Sequence, residues 1–131
     1  MVCLDTSVLI AILRGEEDVM QRLEKEASQG TRISTTPINL CELYDGAYGS
    51  RDQTRELAKI DGLVNHLDIL QFDLGACRKY GEKINQAPLK HEPIGDLDLI
   101  IACIAMSHGE VLVTHNIQHF DKVPGLVVQQ W

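Results

Sequence analysis

The chain has 131 residues, 44% hydrophobic and 24% charged, with a formal net charge of −7. That length supports one hydrophobic core and excludes two full domains. The acidic balance argues against a simple basic nucleic-acid binder, but not against an enzyme that offsets clustered carboxylates with cations.

The opening "MVCLD" is a short apolar run ending on an acid and predicts a buried strand. "TSVLIAILRG" predicts a helix: Thr6 or Ser7 can cap it, Val8, Leu9, Ile12 and Leu13 recur at helical spacing, and Gly15 stops it. This N-terminus has no basic leader or cleavage pattern, and Asp5 interrupts it, so it does not read as a signal peptide. "EEDVMQRLEKEAS" predicts an amphipathic helix with Val19, Leu23 and Ala27 inward and acids in its first turn. "TRIST" is a second strand. "TPINLCELYDGAYG" then starts a helix with Thr36 as cap and Pro37 at the first helical position.

"SRDQTRELAKIDGLVNHL" predicts a further helix capped at or near Ser50, "LDILQF" a third strand, and "DLGACRKYGEKINQA" a helix closed by Pro88. "PLKHEPIG" reads as an exposed loop. "DLDLIIACIAMSHG" is the most apolar helix, followed by the strand "EVLVT", a turn or short helix "HNIQHF" and a last strand in "VPGLVVQQW". No run reaches the ~18 apolar residues of a membrane span. The four cysteines, at 3, 41, 77 and 103, form no CxxC pair, and each lies among apolar neighbours. Buried reduced thiols and a cytoplasmic location are the expectation.

Strands alternating with helices predict an α/β domain with a mainly parallel sheet covered on both faces. Ligands of such sheets bind beyond the carboxyl ends of the strands. Asp5 ends the first strand, Thr114 and Asn116 follow a later one, Asp96 and Asp98 open a helix, and Glu42 lies on the helix after the second strand. Clustered oxygen donors of this kind suit Mg²⁺ or Mn²⁺.

"LDTSVLIAIL", "NLCELYDGAY", "DLIIACIAMSHGEVLVTHNIQHF" and "VPGLVVQQW" together resemble the signature blocks of PIN-domain ribonucleases, most of all the VapC-type toxins of toxin–antitoxin pairs. The resemblance covers nearly the whole chain and implies a single domain over residues 1–131, a three-layer α/β/α sandwich. It assigns three acids to catalysis and metal binding: Asp5, Glu42, and Asp98 in a D-x-x-I-A pattern. It makes Thr6, Ser7 and Thr114 groups that orient those acids. The fourth acidic position of the family is Asn116 here, which implies an orienting or water-mediated role. It further implies Mg²⁺ or Mn²⁺ as cofactor, an RNA substrate cut by metal-activated water to leave 5′-phosphate and 3′-hydroxyl ends, a homodimer, and a VapB-type antitoxin that blocks the site, often with an arginine.

Helical geometry separates the two neighbouring aspartates. Residues two apart on a helix point to nearly opposite sides, so both cannot face one cation. With Gly95 marking the boundary, Asp96 is expected to cap the helix or act in the outer shell of the site, and Asp98 to sit in the first turn. For RNA contact the candidates are the stripe Arg51, Arg55 and Lys59, the stripe Arg78, Lys79 and Lys83, and His115. Both stripes have the simpler reading of solvated faces. His115 and His119 read as polar loop residues near the site mouth, and Tyr44 and Tyr48 as core or dimer packing. Two rival functions remain: a catalytically weak PIN-like module that binds RNA or protein, and an aspartate-phosphorylating phosphatase or receiver-type domain, for which the second aspartate or Lys-Pro pair is missing.

Overall fold

Every strand is short, and every strand pair is parallel. The computed structural model describes residues 1–131. In chain order the elements are β1 (Val2–Leu4), α1 (Thr6–Leu13), α2 (Glu17–Ser28), β2 (Ile33–Thr35), α3 (Pro37–Tyr48), α4 (Gln53–Val64) and β3 (Asp68–Ile69), followed by α5 (Leu74–Ile84), α6 (Asp96–Ser107), β4 (Val111–Val113), α7 (Ile117–Phe120) and β5 (Val128–Gln129). The sheet order is β3-β2-β1-β4-β5. The chain winds outward from β1 through β2 to β3, then crosses back to lay β4 on the other flank of β1. Right-handed crossovers in opposite directions put the helices on opposite faces.

The period of two along each strand divides the core accordingly. Val2, Leu4 and Val113 face one cluster with Val8, Leu9, Leu43, Ala47 and Ile60, supplied by α1, α3 and α4. Cys3 and Leu112 face the other, with Ala76, Ile101, Ile104 and Phe120 from α5, α6 and α7. This is the expected three-layer sandwich with its parallel central sheet.

Helix α6 is the central piece of the second layer, with Ile101, Ala102, Cys103, Ile104 and Ala105 all fully buried. Its neighbour α5 is locked to it at one end. Asp73 caps α5 through the backbone N–H of Ala76 at 2.8 Å and accepts the Ser107 hydroxyl at 2.7 Å. A Cβ at Gly75 would lie 2.8 Å from the Ser107 oxygen, so glycine permits this approach. Replacing Ile104 with alanine is expected to cost about 2–5 kcal/mol, the range for truncating a fully buried aliphatic residue. A denaturant midpoint measured beside the wild type checks this.

Several local expectations are corrected. Helix α1 has Asp5, not Thr6 or Ser7, at its cap position, whereas the cap of α4, expected at or near Ser50, is Asp52. Ala27 is exposed, because α2 turns only Val19, and partly Leu23, toward the core. Cys41 and Cys77 are exposed: the apolar residues beside them in sequence point to other sides of the helix. Cys3 and Cys103 are buried as expected, and burial pushes the Cys103 thiol up to about 11. The segment "PLKHEPIG" is a loop, but Leu89 and Ile94 pin it into the core. The last strand shrinks to Val128–Gln129, because Pro124 and Gly125 turn the chain first, Gly125 with φ +83°. No helix is long and apolar enough to cross a membrane.

A carboxylate site at the switch point of the sheet

The winding reverses at β1, so the switch point, where open α/β sheets form their ligand crevice, lies beyond the carboxyl ends of β1 and β4. Asp5 leaves β1 there and is only 7% exposed. Its backbone starts α1, with Val8 and Leu9 bonding its carbonyl, yet its carboxylate makes no capping bond. The side chain serves the crevice instead. The Asn39 amide donates to Oδ1 at 3.0 Å and the Thr114 hydroxyl to Oδ2 at 2.8 Å, with Ser7 at 3.4 Å.

From Asp5 a hydrogen-bond network runs outward. Asn39 Nδ2 also reaches the Thr6 hydroxyl at 2.9 Å, and Thr6 donates to Glu42 Oε1 at 2.8 Å. On the other flank, Ser7 accepts the backbone N–H of His115 at 3.1 Å, and Thr114 accepts that of Asn116 at 3.0 Å. The network thus links Thr114, Asp5, Asn39, Thr6 and Glu42 across β4, β1, α3 and α1.

Asn39 was not among the residues expected here, though it is fully buried. Its orientation comes from the start of α3. The Thr36 hydroxyl donates to Asn39 Oδ1 at 2.7 Å and, as the helix cap, accepts the Asn39 backbone N–H at 3.2 Å. With its oxygen engaged by Thr36, the amide turns its nitrogen to Asp5. A polar residue three places after a Thr-Pro helix start is the signal in the sequence.

Asp98 lies across the crevice in the first turn of α6, its side chain 35% exposed. Its Oδ2 is 2.8 Å from His119 Nε2. His119 therefore belongs to the site and is not a generic loop residue. Burial pushes the Glu42 carboxyl above the ordinary value of 4.5; the Thr6 hydroxyl opposes this, and the charges of Asp5 and Asp98 add to it. Glu42 thus feels both other acids, although no three His, Cys, Asp or Glu side chains are grouped to hold one ion as they stand.

Asp96 is corrected from its expected capping role. Gly95 takes the cap position with φ +99°, a conformation glycine adopts readily, and the Leu99 backbone bonds the Gly95 carbonyl. Asp96 becomes the first helical residue and accepts the Tyr80 hydroxyl at 3.0 Å, which pushes that hydroxyl up. It faces α5, while Asp98 faces α7. The Asn116 side chain makes no hydrogen bond; its backbone does the work at Thr114.

The basic candidates divide between the two ends of the sheet. Lys59 shares a groove of about 230 Å³ with Ile10, Leu13, Arg14, Glu42 and Ile60; Arg55 is exposed on the same helix, and Arg51 is exposed just before its cap. Lys79 and Lys83 instead line a cavity with Gly109, Glu110 and Val111, at the amino ends of the strands, and Arg78 is exposed on α5 nearby. His115 is exposed beside Glu16, Glu17 and Asp18, an unfavourable setting for a phosphate. Tyr44 packs against the first core cluster and donates to Asp61 at 2.8 Å, whereas Tyr48 is 61% exposed.

The PIN domain family model matches residues 2–126. The chain belongs to the PIN-domain family. Several of its relatives are VapC proteins. Ribonuclease VapC1 of Haemophilus influenzae is 30% identical over 128 residues, covering 98% of this chain and 96% of the relative. The tRNA(fMet)-specific endonuclease VapC of Salmonella typhimurium is 32% identical, with the same coverage of both chains. Among solved structures, VapBC2 of Rickettsia felis bound to a DNA fragment from its promoter superposes with a TM-score of 0.92, at 28% identity, covering 100% of this chain and 99% of the other. The crevice described above is thus the switch-point site of a PIN domain.

Proposed function

We propose that this PIN domain is a divalent-cation-dependent endoribonuclease of the VapC toxin type, restrained by a cognate antitoxin. One observation supports this most. Asp5 and Glu42 are joined through Asn39 and Thr6, and the Glu42 carboxyl, raised first by its burial, is raised further by the charges of Asp5 and Asp98. None of the three acids is paired with a lysine or arginine. All three donors are hard oxygens, the ligand type that Mg²⁺ and Mn²⁺ select, so the residues fit such a cation. When bound, the cation would make water a nucleophile at neutral pH and offset charge developing on the phosphate.

The chain's own residues do the rest. Asn39 and Thr114 fix the Asp5 carboxylate from both oxygens, and Thr6 fixes one oxygen of Glu42. These bonds set donor positions before substrate arrives. Lys59 supplies positive charge beside Glu42, and with the exposed Arg51 and Arg55 earlier in the chain it is the better placed set of RNA contacts. Arg78, Lys79 and Lys83, and His115, are less favourably placed for a strand passing the crevice.

The partner follows from the same surface. A similar structure is that of VapBC2 from Rickettsia felis, and the groove beside Glu42 has apolar walls carrying Glu42 and Glu56 as well as Arg14 and Lys59. An antitoxin segment with apolar anchors would fill it, with a basic residue set against Glu42. Homodimerisation and a cytoplasmic setting belong to the same reading.

The test is direct. Purified protein is incubated with RNA in Mg²⁺, Mn²⁺ or EDTA, beside Asp98→Asn and Asp96→Asn. Cleavage in Mg²⁺ or Mn²⁺, lost in EDTA and with Asp98→Asn but retained with Asp96→Asn, is expected. Cleavage that survives both EDTA and Asp98→Asn overturns the proposal.

A further inference from the structure

Asp98 is the one acid of the site outside the hydrogen-bond network that fixes Asp5 and Glu42. Its only side-chain partner is His119, 2.8 Å from Oδ2; Oδ1 takes no hydrogen bond from the protein. His119 is itself held in two ways. Its backbone N–H bonds the Asn116 carbonyl at 3.2 Å, within α7. Its ring stands edge-on to Phe120, with 5.3 Å between centroids and 84° between planes. Phe120 is 1% exposed and packs in the α5–α6 core. The imidazole is therefore tethered to the core through the adjacent residue, and its nitrogen is presented to Asp98 at a set place.

We infer that His119 is a positioning residue: by donating Nε2–H to Asp98 Oδ2, it orients the carboxylate so that Oδ1 faces the crevice. The inference rests on the metal reading above. The physical reason is conformational. Asp98 is 35% exposed on a first helical turn, and an aspartate there is free to rotate about its last torsion. A fixed donor on one oxygen removes that freedom, as outer partners do for carboxylate ligands generally. The short α7 thus contributes to the site through its end as well as its start. Where Asn116 brings no carboxylate, His119 three residues later steadies one supplied by α6.

The discriminating measurement is Mn²⁺ affinity by calorimetry, which does not depend on turnover. His119→Leu removes the donor; His119→Gln carries an N–H donor to a similar reach. His119→Leu is expected to weaken Mn²⁺ binding about tenfold, within the range for loss of an outer partner. His119→Gln is expected to restore it. In an RNA cleavage assay, raising Mn²⁺ should return the His119→Leu rate toward wild type with KM for RNA unchanged. In the Asp98→Asn background, His119→Leu should have no further effect on affinity.

A purely structural histidine would lower Tm without moving the Mn²⁺ dependence. Wild-type affinity in His119→Leu overturns the inference, as does His119→Gln binding as weakly as His119→Leu. Should the leucine variant fail to fold, His119→Asn keeps a polar surface with an amide too short to reach Asp98, and wild-type affinity there is equally fatal. Absence of Mn²⁺ binding by the wild type overturns the metal reading itself, and this inference with it.

Discussion

Asp5→Asn is expected to lower the RNA cleavage rate by roughly 10³-fold, the scale on which single electrostatic groups act at a reacting centre. The fold should survive. Asp5 receives the Asn39 amide and the Thr114 hydroxyl on its two oxygens. An asparagine can accept from Asn39 with its oxygen and donate to Thr114, whose hydroxyl rotates. Shape and hydrogen bonding persist while the charge is lost. Asp5→Leu is the contrasting variant. It leaves the buried Asn39 and Thr114 without their acceptor, which costs about 1–3 kcal/mol for each stranded group. Matched rate and thermal-melt measurements on the two variants separate chemistry from stability. Wild-type cleavage by Asp5→Asn would remove Asp5 from the reaction.

Adding Mn²⁺ to protein stripped with EDTA is expected to raise Tm, and Glu42→Gln is expected to cancel most of that rise. Binding at a hundred times Kd stabilises by about 2.7 kcal/mol. The pH dependence has a definite sign. The folded state holds the Glu42 proton more tightly than the unfolded chain does, because burial and the charges of Asp5 and Asp98 raise it. Its contribution to stability is therefore full below the ordinary value of 4.5 and is lost as pH rises through the higher folded value. Without cation, Glu42→Gln should melt above the wild type at neutral pH, and the difference should vanish in acid. A neutral-pH melt of the stripped variant below the wild type contradicts this account.

The framework of the fold was legible because its signals are local. Apolar runs separated by capped helices are set by neighbours a few residues apart, and they placed α3, with Thr36 and Pro37, and the apolar body of α6 correctly. The opposed directions of Asp96 and Asp98 followed from helix geometry alone. What escaped depended on distant partners. Asn39 looks like part of a helix cap until Asp5, 34 residues away, is seen to use its amide. His119 looks like a loop residue until Asp98, 21 residues earlier and across a strand, comes to meet it. Asp96 read as a cap because acids favour that position, but the positive φ of Gly95 moved the boundary by one residue. Leu89 and Ile94 were hidden by the prolines and charges around them, since two isolated apolar residues carry no period.

The reversal of winding at β1 has a consequence for the timing of synthesis. Asp5 meets Thr114 across 109 residues of chain, one of the most distant bonds in the molecule. Asp98 and His119 likewise belong to the last third. During translation, β1, β2 and the first helical layer can assemble, but the partners of Asp5 from β4 arrive only as the chain is nearly complete. A truncated product ending before β4 carries Asp5 and Glu42 without the groups that finish the site. Long-range closure is also the slow part of folding. The crevice of this PIN domain is therefore complete only when synthesis is all but over.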